Sequence, residues 1–82
     1  MHVPHELNEE FSAEAALIER LRKSSHEFGQ LASRYDEVNV NVHRIESGER
    51  PAEDAVVEEL RKQRLRLKDD IAAFLLRVER RM

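Results

Sequence analysis

The stretch "EVNVNVHRIE", residues 37–46, decides the fold because it supports two opposite predictions. Val38, Val40 and Val42 alternate with asparagines, which is the period-two pattern of a half-buried strand. The sequence on both sides is rich in Glu, Arg, Leu and Ala, which favour helix. The question is whether this stretch is a lone strand or part of a longer helix.

The spacing of the surrounding apolar residues answers in favour of helix. Over residues 17–45 they recur in alternating steps of four and three, with Ser24 filling the one gap. This is a heptad repeat that places Val38 and Val42 on one face and leaves only Val40 pointing outward. A strand would interrupt a pattern that keeps its phase on both sides, so we predict helix.

The first helix is predicted over residues 12–47. Ser12 is a good N-cap, and Gly48 supplies a left-handed residue just past the end. The stretch "SSHE", residues 24–27, matches a capping box. Because the heptad repeat continues through it, we expect at most a kink there.

The second helix is predicted over residues 52–80, after a turn at residues 48–51 in which Pro51 leads into the first helical turn. So short a connection forces the two helices antiparallel. Residues 1–82 therefore form a single domain, which begins with an N-terminal segment at residues 1–11. The first helix overhangs the second, and the N-terminal segment has the spacing to fold back over that overhang.

Fourteen apolar residues form the predicted seam between the two helices. They are Leu17, Leu21, Phe28, Leu31, Tyr35, Val38, Val42, Ile45, Val57, Leu60, Leu67, Ile71, Phe74 and Val78. Pairing the helices across the turn places Phe28 opposite Phe74. It also places the charged Arg64 near Asn39 and Asn41, where we expect a hydrogen bond to an amide that helps to fix the register.

A second apolar stripe lies off the seam on the second helix. It consists of Leu65, Ala72, Leu75 and Leu76. An isolated pair of helices cannot hide such a stripe, and a second helix pair can. The predicted fold is therefore all-α: a coiled-coil-like antiparallel two-helix hairpin that pairs into a dimeric four-helix bundle.

The composition gives no sign of catalysis. The chain has no Cys and only two Gly, so it offers neither a thiolate nor a glycine-rich phosphate loop. His5 with Glu9 and His43 with Glu46 have helical metal-ligand spacing, but neither pair has a third ligand. We therefore expect no enzyme, no cofactor and no metal site.

One basic run stands out within the second helix. It is "RKQRLRLK", residues 61–68, with the cations Arg61, Lys62, Arg64, Arg66 and Lys68. Acidic residues flank the run at helical distance, and no aromatic residue is interleaved with it for base stacking. A salt-bridged helix face is the favoured interpretation. The alternative is a binding patch for nucleic acid, acidic lipid or an acidic partner.

The quoted stretches together resemble the YdcH-like family of short bacterial proteins. The resemblance runs from about "PHEL" to Leu75 through "LIERLRKSSHEFGQLASRYDEVNVNVHRIESG" and "RKQRLRLKDDIAAFL". The sequence departs from it at Ala52, where a Ser or Thr cap is expected, and at Glu27, where His is frequent. The resemblance implies a helical hairpin in the bacterial cytoplasm and brings no activity or cofactor with it.

The functional prediction is a non-catalytic protein–protein interaction module that self-associates, with a homodimer favoured and an unidentified protein partner as a further option. The alternative is a nucleic-acid or nucleoid-associated accessory protein that uses residues 61–68. The net charge of −3 disfavours nucleic acid, and the short apolar runs disfavour a membrane span. A third hypothesis places "IAAFLLRVERRM", residues 71–82, on an acidic membrane surface, but the apolar stripe there is short and a bundle interface explains it better. A cytoplasmic location is expected because neither Cys nor an export signal is present.

Overall fold

Helices account for most of residues 2–82, which is the part of the chain that the structure, a computed structural model, describes. They are α1 (Leu7–Glu10), a short 3₁₀ helix (Ser12–Glu14), α2 (Ala15–Ser24), α3 (His26–Glu46) and α4 (Asp54–Arg80). No strand occurs within residues 2–82. The stretch at residues 37–46 lies inside α3, so the prediction of helix there is confirmed.

The first helix is broken at Ser25, and the prediction of one helix over residues 12–47 was wrong. Ser25 has extended backbone angles, φ −121° and ψ 113°, and its Oγ accepts a hydrogen bond of 3.2 Å from the Phe28 N–H. This is an N-cap, which satisfies one of the free donors at the start of α3. Because of the break, α2 lies back along α3 instead of extending it, and Arg22 of α2 donates a hydrogen bond of 2.9 Å to Asp36 of α3.

Burial of apolar side chains explains why the chain folds back. Residues 2–24, here called the N-terminal cover, place Leu7 and Ile18 in a buried cluster. Full burial of two such side chains stabilises by about 3–6 kcal/mol. The backbone hydrogen bonds lost at a helix break cost about 1 kcal/mol each, and the Ser25 cap offsets part of that. The cluster comprises Leu7, Ile18, Phe28, Ala32, Tyr35, Ile71 and Leu75.

α3 and α4 pack against each other along their length. The rings of Phe28 and Phe74 lie 5.2 Å apart between centroids and are tilted by 55°. Further along, Arg64 donates to the Oδ1 of Asn39 at 3.0 Å. These contacts advance in opposite directions along the two helices. Both are contacts that the sequence-based register predicted.

The connection between α3 and α4 is longer than predicted. Gly48 adopts the expected left-handed conformation, with φ 84°, and its N–H donates to the Ile45 carbonyl at 3.1 Å. α4 begins at Asp54 rather than at residue 52, with Glu53 in an extended conformation as its N-cap. Ala52 lacks the side-chain oxygen that would cap a helix beginning there.

All fourteen predicted seam residues are at least partly buried. Five are buried, four of them fully and Val57 with 8% of its surface exposed: Phe28, Tyr35, Val42, Val57 and Ile71. Leu17 and Leu21 are only partly buried, because α2 no longer continues the line of α3. In α2 the fully buried residue is Ile18, which lay outside the predicted seam.

Candidate interaction surfaces

The exposed face of α4 is the first candidate surface, and it is smaller than predicted. Leu65 and Leu76 have 59% and 50% of their surface exposed, and Ala72 between them is exposed as well. These residues are separated by steps of seven and four, so they lie on one side of the helix. We call the three residues the α4 face.

Leu75 does not belong to this surface, and its prediction as a partner-binding residue was wrong. It is 3% exposed and lies in the buried cluster with Leu7 and Ile18. The N-terminal cover occupies the side of α4 that a two-helix hairpin would leave bare. One member of the predicted apolar stripe, Leu75, is therefore packed inside the chain's own core.

Val56 provides a useful contrast to the α4 face. It is 49% exposed, nearly as much as Leu76. It precedes Leu65 by nine residues, which places it on the opposite side of an α-helix. It is also a single exposed apolar residue in the first turn, of the kind that carries no functional implication.

The basic run at residues 61–68 makes many contacts within the chain. Four of its five cations contact another side chain: Arg61 with Glu46 at 2.7 Å, Arg64 with Asn39 at 3.0 Å, Arg66 with Glu59 at 3.6 Å and Lys68 with Glu10 at 2.9 Å. Within residues 2–82, Lys62 alone of the five has no such contact. Three of the four partners lie outside α4, so the run mainly joins segments of the fold. Nucleic-acid binding through this run stays a prediction.

Two polar side chains of α3 hold the start of the N-terminal cover. The Tyr35 hydroxyl donates a hydrogen bond of 2.5 Å to the backbone carbonyl of His5, and the Asn39 amide donates one of 2.9 Å to that of Pro4. His5 has a left-handed φ of 63°, which residues other than Gly seldom adopt. Asn39 is 2% exposed and also accepts from Arg64, so both ends of its amide are used.

An ion pair joins the cover to α4. The Glu10 carboxylate accepts a hydrogen bond of 2.9 Å from Lys68, and the imidazole of His5 lies 3.4 Å from the same oxygen. The hydrogen bond from Lys68 lowers the pKa of Glu10 below its usual value, and the Lys68 charge acts in the same direction. The charged form of Glu10 is therefore favoured in the folded chain.

Burial has the opposite effect on Tyr35. It raises the pKa of the Tyr35 phenol to about 12, and the negative charge of Glu10 contributes to the rise. The neutral hydroxyl is the form that donates to His5. The folded chain thus favours the protonated phenol that its hydrogen bond requires.

The histidines do not build a metal centre in the described part of the chain. The His2 imidazole lies 3.3 Å from a carboxylate oxygen of Glu9, and that of His5 lies 3.4 Å from one of Glu10. Within residues 2–82, no three or more His, Cys, Asp or Glu side chains converge as metal ligands would. In the same range, none of the helices combines the length and apolar character that crossing a bilayer requires.

A family model described as "Protein of unknown function (DUF465)" matches residues 28–75. The chain belongs to this family. The YdcH-like proteins are members of it, so the resemblance seen in the sequence is confirmed. No curated protein and no solved structure matches the chain significantly.

The DUF465 match covers all but the first two residues of α3, the connection and most of α4, and it begins three residues after the break at Ser25. The N-terminal cover precedes the matched residues. In the fold this cover lies on the cluster that α3 and α4 build between them. The matched residues therefore include most of both helices that build the Phe28–Phe74 contact.

Sequence reasoning missed Tyr35 and Asn39 as polar anchors. The heptad repeat placed Tyr35 in the seam as an apolar residue, and it placed Asn39 beside the seam as a partner for Arg64. Nothing in the local pattern predicts that the carbonyls of Pro4 and His5 lie above them. The sequence offered one signal for a polar anchor, which was an Asn placed beside the seam of a heptad helix.

Proposed function

We propose that the chain is a non-catalytic interaction module that self-associates through the α4 face. The observation that carries this proposal is the exposure of Leu65 and Leu76 on one side of α4 after the chain has covered its own buried cluster. Exposed leucines at heptad-related spacing are typical of helices that pack against another helix. In this proposal the α3–α4 hairpins of two copies form a four-helix bundle.

A second copy of this chain is the favoured occupant because the α4 face carries charges of both signs. Lys62 and Arg80 lie along its edges, and so do Asp69 and Glu79. A two-fold interface brings one patch against itself, so it requires a surface that can match its own charges. A face of mixed sign meets that requirement better than a face of one sign.

Sedimentation equilibrium over a wide range of protein concentration tests the proposal. We expect the unmodified chain to approach the mass of two chains at high concentration and to dissociate on dilution. Leu65→Asp and Leu76→Asp should each shift the distribution to a single chain, because a buried carboxylate without a partner is costly. Val56→Asp is the matched control and should leave the dimer intact, since Val56 lies on the opposite side of α4.

Two results would overturn self-association through this face. One is a mass of one chain for the unmodified protein at every concentration. The other is a dimer that persists in both leucine variants while circular dichroism shows that they keep their helices. A dimer lost equally in Val56→Asp would also count against the proposal, because the effect would not be specific to the α4 face.

A further inference from the structure

Two cations, Lys23 and Arg34, lie where α2 meets α3. Within residues 2–82, Lys23 and Arg34 make no ion pair and no side-chain hydrogen bond. The chain contains 17 acidic residues against 14 basic ones, so carboxylates are available in excess. Most of the cations in the run at residues 61–68 do contact a partner. The charges at the junction are thus free for a ligand.

An open cleft of about 720 Å³ lies at this junction, between the end of α2 and the first turns of α3. Among its lining residues are Arg22, Lys23, Ser25, Gln30, Ser33 and Arg34, and no carboxylate lines it within the described chain. Gly29 is part of the same wall and has no side chain to fill the space; a Cβ placed there would meet only the Arg22 carbonyl, at 3.4 Å. We call this the elbow cleft.

The lining of the elbow cleft is rich in hydrogen-bond donors. Lys23 and Arg34 offer charged N–H groups, and Ser33 and Gln30 add neutral donors. The Ser25 oxygen accepts from a backbone N–H, which leaves its own O–H free to donate. Arg22 is already paired with Asp36 and contributes less net charge. Such a set suits a ligand that presents several negatively charged oxygens.

The acidic groups nearby limit where such a ligand can lie. Glu27 and Asp70 line a neighbouring groove between α3 and α4, together with Arg77 and with Arg34, which borders both the groove and the elbow cleft. The two carboxylates offset the two cations of that groove, so it attracts an anion less than the elbow cleft, which no carboxylate lines in the described chain. Of the two sites, the elbow cleft is therefore the more favourable one for an anion. A long polyanion would run past it towards the acidic groups.

We propose that the elbow cleft binds a small anion that carries two or more phosphate groups. Phosphate oxygens match guanidinium, ammonium and hydroxyl donors, and two phosphate groups match the two unpaired cations. The site lies on α2 and α3, whereas the α4 face lies on another helix, so this proposal does not depend on self-association. It assigns a binding function to the break at Ser25, which creates the cleft.

Titration of the ¹⁵N-labelled chain with inorganic pyrophosphate, at constant ionic strength, tests the assignment. We expect saturable chemical-shift changes in the amides of residues 22–34. The double variant Lys23→Glu/Arg34→Glu should bind at least about tenfold more weakly. The matched control is Arg44→Glu/Arg81→Glu, which changes the net charge equally at two exposed cations away from both the cleft and the α4 face. It should bind as the unmodified chain does.

Three results would overturn the proposal. The first is an equal loss of binding in both double variants, which would show a general effect of net charge. The second is the absence of saturable shifts in the unmodified chain. The third is binding to vesicles that contain an anionic phospholipid without any response to pyrophosphate, which would assign the cations to a membrane surface. Sedimentation of the Lys23→Glu/Arg34→Glu variant should match that of the unmodified chain.

Discussion

The Tyr35 hydroxyl donates a 2.5 Å hydrogen bond to the backbone carbonyl of His5, thirty residues earlier in the chain. One turn further along α3, Asn39 donates to the carbonyl of Pro4. Two successive carbonyls of the N-terminal cover are thus bound by two polar side chains of the same helix. Apolar burial drives the cover onto α3 and α4, and these hydrogen bonds specify where it lies.

Removal of the Tyr35 hydroxyl tests its part in holding the cover. Tyr35→Phe keeps the buried ring and deletes only the donor. We expect the free energy of unfolding to fall by about 1 kcal/mol, the usual net contribution of one such hydrogen bond. Urea unfolding followed by circular dichroism measures this. An unchanged unfolding midpoint would show that the hydrogen bond does not stabilise the fold.

The ionisation of Tyr35 gives a second, independent prediction. Burial raises the pKa of its phenol to about 12 from an ordinary value of 10.0. The resulting stabilisation is therefore fully present below pH 10 and is lost as the pH rises through about 12. Tyr35 is the single tyrosine and the chain has no Trp, so its ultraviolet absorbance can be followed without interference. We expect a midpoint near 12 in the folded chain and near 10 in urea; a midpoint near 10 while the helices persist would contradict the structure.

Asn39 and Asn41 form a matched pair for testing the buried amide. Asn39 is buried and makes hydrogen bonds to both Pro4 and Arg64, whereas Asn41 accepts an exposed one from Arg50 at 3.2 Å. Asn39→Ala should lower the free energy of unfolding by about 1–3 kcal/mol, because it leaves buried groups without partners. Asn41→Ala should change it by less than about 0.5 kcal/mol. Equal effects in thermal or urea unfolding would mean that burial of Asn39 is unimportant.

Ser24 and Ser25 offer a similar comparison at the helix break. The Ser25 Oγ caps α3, whereas the Ser24 hydroxyl donates to the Arg20 carbonyl within α2 at 2.9 Å. Ser25→Ala should destabilise the chain by about 1 kcal/mol, the usual cost of losing an N-cap. Ser24→Ala should have an effect within about 0.5 kcal/mol, since Ala is the better helix former. Thermal unfolding measures both variants. If Ser24→Ala destabilised the chain more than Ser25→Ala, Ser25 would not be the N-cap of α3 and the helix break would lie elsewhere.

Local sequence patterns predicted the helices and the contact between α3 and α4. The heptad spacing through residues 37–46 gave helix in place of strand, and it also placed Phe28 opposite Phe74 and Arg64 beside Asn39. Gly48 marked the end of α3 as expected. These features depend on residues that are close in sequence or are paired across one short connection. Such information is present in the spacing itself.

The break at Ser25 could not be predicted in the same way, because two local signals disagreed there. The capping box at residues 24–27 favoured a new helix, and the unbroken heptad phase favoured a continuous one. The outcome depends on the burial of Leu7 and Ile18 against distant parts of the chain. The position of the N-terminal cover has two consequences. Leu75 is buried, and the carbonyl of Pro4 lies within hydrogen-bond distance of Asn39. Tertiary contacts overrode the local periodicity at this point.

The distance between two spin labels tests most directly whether α2 folds back along α3. The chain has no native cysteine, so Ala16→Cys and Glu37→Cys give two unique labelling sites on exposed positions. Arg22 contacts Asp36, and Glu19 shares a groove with Asn39, so we expect a distance below about 20 Å, typical of neighbouring helices. A continuous helix would separate the two residues by about 32 Å. A single population at the short distance is the predicted result, and a dominant population near the long one would contradict the fold.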